Sequence, residues 1–450
     1  MNIHYLTGKP VLVTGGAGFI GCNLVKGLTE IGAEVYVADN ESRGSKSNLE
    51  DVGFEIKSGI NYFKVDLRDE QICGELVKGM HTIYHLAADV GGIAYVLKDG
   101  LKVWKNNTLI DANMFQSVTS ESSVENLIYA SSSCVYPLNL SSSKCALQER
   151  DAWKGETHTM YGAQKLLGEK AIKMHATKKG VRSIPVRFHN VYGPRSIMKG
   201  NGAQVIQALI SKALNNPEQD LEVWGSGKQG RDFIYVDDIV DWLVNIFSTK
   251  DGKIPEQPIQ RGSGINTSVG EIARIILETL NSSAKIYYKP VPDEGEEGRI
   301  SDNSIIEELY PQLPPPVSIT EGIKRYIDWA LERETWWKVE AQNQVSMQLV
   351  NSINSHVITN PPEAVLQQTA QVLAFQKEGQ QSMPSKRLGS YLLEANLITQ
   401  EQLEIALKEQ QKSNTRLGEI ISNQGWLSQT TIEYMMDKVV LPERKLSLAS

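Results

Sequence analysis

Cysteine is scarce in this chain: four in 450 residues, at Cys22, Cys73, Cys134 and Cys145. No two of them make a CxxC or other metal-ligand spacing, and four do not make a disulfide framework. Neither a metal site nor a stapled secreted fold is expected. Such usage fits a reducing, cytoplasmic setting. Long apolar runs are missing too. No stretch approaches the ~18 consecutive apolar residues of a membrane span, and the polar opening MNIHYLTGKP does not read as a signal peptide. Strong charge of one sign is also absent. Lys and Arg total 46 against 53 Asp and Glu, a net charge of −7. That balance asks for neither nucleic acid nor an anionic membrane as partner.

What is present is an ordinary globular composition, 41% hydrophobic and 22% charged, in a chain long enough for more than one folding unit. Up to about residue 250, short β-branched runs (VLVTG, EVYVAD, NYFKVD, HTIYHLAA, VENLIYASS, RSIPVRFHN) alternate with helical stretches. Alternation of this kind predicts βαβ units: an α/β fold with a doubly wound parallel sheet. From about 195 to 335 the pattern loosens into loops such as GSGKQG and KPVPDEGEEG, and a smaller lobe is expected there. Residues 1–335 thus form one domain, with the sheet over about 8–195 and the lobe over about 195–335. Nine glutamines between Gln342 and Gln381 mark 336–385 as a linker. Residues 386–445 hold an internal repeat. RLGSYLLEANLITQEQLEIALKEQ begins at Arg387 and RLGEIISNQGWLSQTTIEYMMDKV at Arg416. Leu392 aligns with Ile421, Ile398 with Leu427, Leu403 with Ile432, and Leu407 with Met436. Two such helical units can share one apolar face and make a small separate domain.

The clearest local signal is TGGAGFIG, Thr14 to Gly21, between the strand VLV and the helix FIGCNLVKGL. Gly15, Gly18 and Gly21 permit a tight turn, close approach to a pyrophosphate, and close helix–strand packing. Phe19, Ile20 and Gly21 open the helix, whose N-terminus offers free N–H groups and a positive dipole to phosphate. Asp39 ends the next strand, where a carboxylate accepts from both ribose hydroxyls and repels a 2′-phosphate. NAD is therefore expected over NADP, although the cation Arg43 lies nearby. Asp66 and Leu67 end the third strand. Asp66 either meets the adenine amino group or caps a helix over 68–78. Leu86, Ala87 and Ala88 end the fourth strand, and the small alanines let backbone run beside the cofactor.

Tyr161 and Lys165 open the helix YGAQKLLGEKAIKMH, and their i, i+4 spacing puts them on one face. A free phenol has a pKa of ~10, which a nearby ammonium lowers. The same lysine can hold the nicotinamide ribose. A phenolate so tuned takes a proton from a sugar hydroxyl while hydride leaves the same carbon.

With glycine loop, serine run and Tyr–Lys pair in order, residues ~8 to 330 resemble the extended short-chain dehydrogenase/reductase superfamily, in its sugar-nucleotide epimerase branch. The resemblance implies a Rossmann-type sheet, NAD as cofactor, a nucleotide-diphosphate sugar as substrate, and a homodimer through a four-helix interface. It makes Ser132, Tyr161 and Lys165 the catalytic set, with the Ser132 hydroxyl steadying the alcohol or ketone oxygen. Locally, AADVGGI (87–93), SSSCVYP (131–137), ERDAW (149–153), RFHNVYGP (187–194) and GRISDN (298–303) are similar to GDP-mannose 3,5-epimerases. SSCxYP and VGGI also occur in GDP-fucose synthases.

Both families place a cysteine two residues after the catalytic serine, as acid/base beside a transient ketone. Here that residue is Cys134. Oxidising C4 acidifies the hydrogens on C3 and C5, and a thiol of pKa ~8.5 can exchange protons with them. Inversion also needs a donor on the opposite sugar face. Those families use a Lys or His about a dozen residues beyond YGP, where this chain has Gln204. Lys199 is a substitute donor and substrate contact, or else a solvated loop residue. His189 is another donor, or a strand-end histidine bonded to backbone. Cys134 is thus either a base at C3 or C5 or a small pocket wall in an enzyme that inverts only C4, which needs no second base. A dehydratase is not expected, because Ser133-Cys134 stands where dehydratases carry an Asp-Glu pair. An NAD-binding sensor without turnover is the non-enzymatic alternative, and the intact Ser132, Tyr161 and Lys165 set speaks against it.

The resemblance puts Asn190 at the substrate diphosphate. Arg231 and Arg299 bind phosphate oxygens, or else form salt bridges with Asp232 and Asp302. Trp224 faces the base, or packs under its loop. The tail resembles the N-terminal domain of type II secretion and type IV pilus ATPases, some of which bind cyclic di-GMP through paired RLG…L…Q units. That implies cyclic di-GMP or a protein as partner. The second unit ends in Val439 where a Gln is expected.

Overall fold

In the computed structural model, the residues described are 4–140, 145–198, 203–252, 255, 257–291, 298–334, 388–394, 398–413, 415–424, 426, 427 and 432. The chain divides into two compact units, Met1–Lys338 and Val339–Ser450.

The first unit opens with β1 (Pro10–Thr14), α1 (Phe19–Glu30), β2 (Glu34–Asp39), α2 (Lys46–Asp51) and β3 (Tyr62–Lys64). Next come α3 (Glu70–Leu76), β4 (Thr82–His85), α4 (Ile93–Lys98), α5 (Gly100–Ser120) and β5 (Asn126–Ser132). After β6 (Ala146–Leu147) follow α6 (Met160–Lys179), β7 (Arg182–Phe188), β8 (Asn190–Tyr192), α7 (Val205–Asn215) and β9 (Leu221–Trp224). The rest is β10 (Gly230–Tyr235), α8 (Val236–Val244), β11 (Ile259–Arg261), β12 (Asn266–Ser268), α9 (Val269–Thr279), β13 (Ile286–Lys289), β14 (Ile300–Ser301), α10 (Ser304–Leu309) and α11 (Ile319–Leu331).

Seven strands form a parallel sheet in the order β11-β7-β5-β4-β1-β2-β3. Its strands read as apolar runs because both faces are covered. Leu24, Val25 and Leu28 of α1 meet Ile239, Trp242 and Leu243 of α8 on one face. Leu76 of α3, Ile110, Met114 and Phe115 of α5, and Ile172 of α6 fill the other. Each such side chain, fully buried, stabilises by ~1.5–3 kcal/mol. The strand order reverses between β1 and β4, which opens a crevice at their carboxyl ends. The glycine loop and the serine run both lie at that end of the sheet.

The sheet takes back part of the chain beyond residue 195. β11 pairs with β7 (Ile259↔Val186), and α8 packs on α1. A boundary near 195 therefore leaves out a strand and a helix of the sheet layer. A three-residue strand has too few positions for a period to show. The smaller lobe keeps its own core, with Ile206 and Ile210 of α7, Val223, Phe233, Ile272 and Ile276 of α9, and Ile323 of α11. Two of its helices, α9 and α11, start at hydroxyl caps: Ser268 accepts from Glu271 N–H, and Ser318 from Glu321 N–H.

In the second unit, helices Leu388–Glu394, Gln400–Ser413 and Leu417–Asn423 enclose one apolar cluster. Leu392, Ile398, Leu403, Ile421, Leu427 and Ile432 are all buried in it, so three of the repeat's four aligned pairs share a core. The RLG glycines are packing positions. A Cβ at Gly389 would lie 2.7 Å from Leu403 Cδ1, and one at Gly418 would lie 2.6 Å from Ile432 Cγ2. Leu407 is exposed. The linker 336–385, Arg387, Met436 and Val439 lie outside the described residues. Among the described residues, no helix is long and apolar enough to cross a membrane.

Candidate active site

The glycine loop is shaped by what cannot fit in it. Gly15 has φ +68°, and a Cβ there would sit 2.8 Å from the Ala87 nitrogen. A Cβ at Gly21 would sit 2.2 Å from Gly15 O, and one at Gly18 would sit 3.1 Å from that same atom. Gly18 is the extended N-cap of α1, and no acidic residue occupies the first turn to offset the helix's positive end. Asp39 is almost fully buried at the end of β2. Its carboxylate accepts the N–H of Ala17 at 3.0 Å and of Glu41 at 2.7 Å. Burial pushes its pKa up, and the two N–H groups oppose that. Leu86 N–H donates to Thr14 O, and Ala87 N–H to Thr14 Oγ1. This fastens the Leu86-Ala87-Ala88 backbone beside the loop. A side-chain-free cradle, an open helix N-terminus and a carboxylate on the second strand together fit NAD.

Asp66 does not cap α3. Asp69 does, accepting from Gln71 and Ile72 N–H. Asp66 instead holds the Arg68 guanidinium in a bidentate pair, which keeps its carboxyl below the usual range. Leu67 is buried, and its carbonyl accepts the Asn113 amide at 3.0 Å.

Ser132 ends β5 and turns the chain into a short 3-10 segment, its Oγ accepting Cys134 N–H at 3.1 Å. The same hydroxyl acts on the Tyr161 phenol, favouring its ionised form. Tyr161, in the first turn of α6, is buried with Val96 and Val103, against half-buried Val90, Tyr95 and Cys134. Burial pushes its phenol well above the ordinary value. Cys134 and Asp111 push the same way, and Ser132 opposes. Lys165 is buried on the same helix face, yet its ammonium lies 4.6 Å over the ring of Tyr129. Ser132, rather than Lys165, is the group that favours the phenolate. Burial pushes Lys165 down, and Asp111 and Glu169 pull it up.

On the lobe side, Asn190 donates to Asp232 O at 3.2 Å and Arg231 to Gly230 O at 2.7 Å. Arg299 is buried and donates to Ser133 O at 3.0 Å, so it reaches the serine turn itself. The Asp232 carboxylate is taken up by Ser263, Gly264 and Ser301. Asp302 accepts from Gln148 and Ser304. Trp224 is exposed, flanked by Lys212 and Lys289 rather than packed under its loop. His189 is not bonded to backbone. Its Nε2 lies 3.0 Å from Gln260 Oε1, and burial lowers its pKa. Gln204 is exposed at the N-cap of α7. Lys199 lies outside the described residues.

The sequence model of the NAD dependent epimerase/dehydratase family matches residues 11–259. This chain belongs to that family. Curated relatives include an Arabidopsis thaliana GDP-mannose 3,5-epimerase, 30% identical over 325 residues, covering 72% of this chain and 82% of the relative. A putative UDP-glucose 4-epimerase of Methanocaldococcus jannaschii is 30% identical over 327 residues, covering 71% of this chain and 97% of the relative. Among solved structures, an epimerase of Methanothermobacter thermautotrophicus superposes with a TM-score of 0.65 at 30% identity, covering 73% of this chain and 94% of that one.

In this epimerase/dehydratase-family enzyme, the fold brings Ser132, Cys134, Tyr161 and Lys165 together at the end of β5 and the start of α6. Four further residues of that neighbourhood escape motif reading: Asp111, Tyr129, Gly162 and Gln164. Asp111 does leave a trace in the sequence, since it is a lone acid between the core residues Ile110 and Met114 on α5.

Proposed function

We propose that this enzyme is a nucleotide-sugar epimerase working through a transient 4-keto sugar, in the manner of GDP-mannose 3,5-epimerases. The observation that carries the reading is the Ser132 hydroxyl, which accepts the N–H of Cys134 and favours the Tyr161 phenolate. Gly15, Gly18, Gly21 and Asp39 hold NAD, which when bound accepts and returns hydride at C4. Tyr161 takes the proton from the C4 hydroxyl, Ser132 holds that oxygen, and Lys165 holds the nicotinamide ribose. Asn190, Arg231 and Arg299, with Lys199, meet the diphosphate. Cys134 then exchanges a proton at C3 or C5, next to the ketone.

Gln204 supports a second reading. An amide cannot deliver a proton to the opposite sugar face, so Cys134 then lines the pocket of a UDP-hexose or UDP-hexuronate 4-epimerase.

Incubation with GDP-mannose, UDP-glucose and UDP-glucuronate in D2O separates the two. Deuterium at C3 or C5, lost in Cys134→Ser, is the expected outcome. Inversion at C4 without label assigns the simpler chemistry.

A further inference from the structure

Beneath the Tyr161–Lys165 face lies a buried polar cluster that the proposed reaction does not use. Asp111, on α5, is 3% exposed. One of its carboxylate oxygens accepts the Tyr129 hydroxyl at 2.5 Å and the Gln164 amide at 2.6 Å. The other lies 3.3 Å from His85 Nε2. His85 Nδ1 is 2.8 Å from Thr14 Oγ1, the acceptor of Ala87 N–H. One carboxylate thus joins α5, β5, α6 and β4, and through His85 reaches the strand that carries the glycine loop.

A carboxylate buried this deeply is stable as an anion only beside a counter-charge. Lys165 lies over the ring whose hydroxyl Asp111 accepts, and its charge favours the Asp111 anion. Conversely, the carboxylates acting on Lys165 are Asp111 and Glu169. Glu169 is already spent. It accepts Ser131 Oγ at 2.5 Å and takes the buried Arg187 guanidinium at 2.8 and 2.7 Å. Asp111 is left to balance Lys165, which sits over the ring of Tyr129 while Asp111 accepts that ring's hydroxyl. The titratable groups facing Asp111 are Tyr161 and Lys165 from α6, with Glu169 a turn further on, His85 from β4 and Tyr129 from β5.

We infer that Asp111 is a positioning residue: its carboxylate, presented by Tyr129, Gln164 and His85, is the counter-charge that holds the Lys165 ammonium on the Tyr129 ring, one helical turn from Tyr161. This rests on the reading that Tyr161 and Lys165 form the reacting pair. A purely structural hub would tie the same elements together with no regard to the charge of Lys165.

A double-mutant cycle on the full chain separates the two. Asp111→Asn should lower the unfolding temperature by about 5 °C or more. In a Lys165→Met background the same substitution should cost less than half as much. Equal losses in both backgrounds overturn the inference, as does failure of the double variant to fold. If Asp111→Asn alone does not fold, recovery of folding in the double variant supports it. The second readout is NAD+ affinity by calorimetry between pH 7 and 9.5. Asp111→Asn should lose at least fivefold more affinity over that range than the wild type, because Lys165 sheds its proton at lower pH. Parallel profiles contradict the inference. Neither readout involves sugar turnover. Coupling in the cycle together with full turnover by Tyr161→Phe would sink the catalytic reading alone.

Discussion

Gly162 stands where a Cβ would fall 2.1 Å from the carbonyl oxygen of Cys134. The first turn of α6 is therefore pressed onto the turn that carries the cysteine, and Tyr161 is set by that contact. The obstacle is backbone, not the far end of a flexible side chain. Gly162→Ala must move the helix, the turn, or both.

Gly162→Ala is accordingly expected to lower stability by about 1–3 kcal/mol and turnover by at least tenfold, a loss typical of misplaced reacting groups. Denaturant unfolding and steady-state assay check both numbers. A variant with wild-type turnover would show that the contact does not set Tyr161.

Asp238, on α8, is buried and accepts Val317 N–H through both oxygens. Burial raises its pKa to about 6. Its folded value lies above the unfolded one, so its contribution to stability is full below about pH 4 and gone above about pH 6. Asp238→Asn, which keeps an acceptor for Val317, should match the wild type near pH 4 and exceed it by ~2 kcal/mol at pH 7. Urea unfolding at the two pH values measures this. An equal effect at both would mean the charge is not what burial penalises.

The homodimer is a proposal that the surfaces of α5 and α6 support. Leu101 and Leu109 on α5, and Leu167 and Met174 on α6, are large apolar side chains left exposed, and burying them against a second copy would remove that apolar surface from water. Leu167→Glu should shift the sedimenting species from dimer to monomer. A wild-type monomer, or a variant that remains dimeric, would remove α5 and α6 from the interface.

The parts of this molecule legible in its sequence are those where a residue type and a short spacing jointly meet one physical demand. Gly15, Gly18 and Gly21 are such a case, since close approaches within one loop exclude a Cβ at Gly15 and Gly21 and crowd one at Gly18. So are Leu392 with Ile421 and Ile398 with Leu427, where the repeat exposes its own core. Spacing places Tyr161 and Lys165 on one helix face, but it says nothing of what that face packs against. The Tyr129 ring and Asp111 come from other elements, and with them the electrostatics of the pair. Asp66 and Asp69 are equivalent as caps in sequence, and only the path of the chain into α3 selects Asp69. His189 likewise finds its partner, Gln260, on β11, a strand too short to announce itself.

The central claim is that the Tyr161 phenol removes the proton from a sugar hydroxyl held by Ser132. The direct measurement is conversion of a nucleotide sugar by Tyr161→Phe, followed by NMR, with NAD+ affinity measured on the same preparation. The account predicts that NAD+ binding persists while turnover falls by 10²-fold or more, the scale of general acid–base catalysis. Turnover within twofold of the wild type would contradict it.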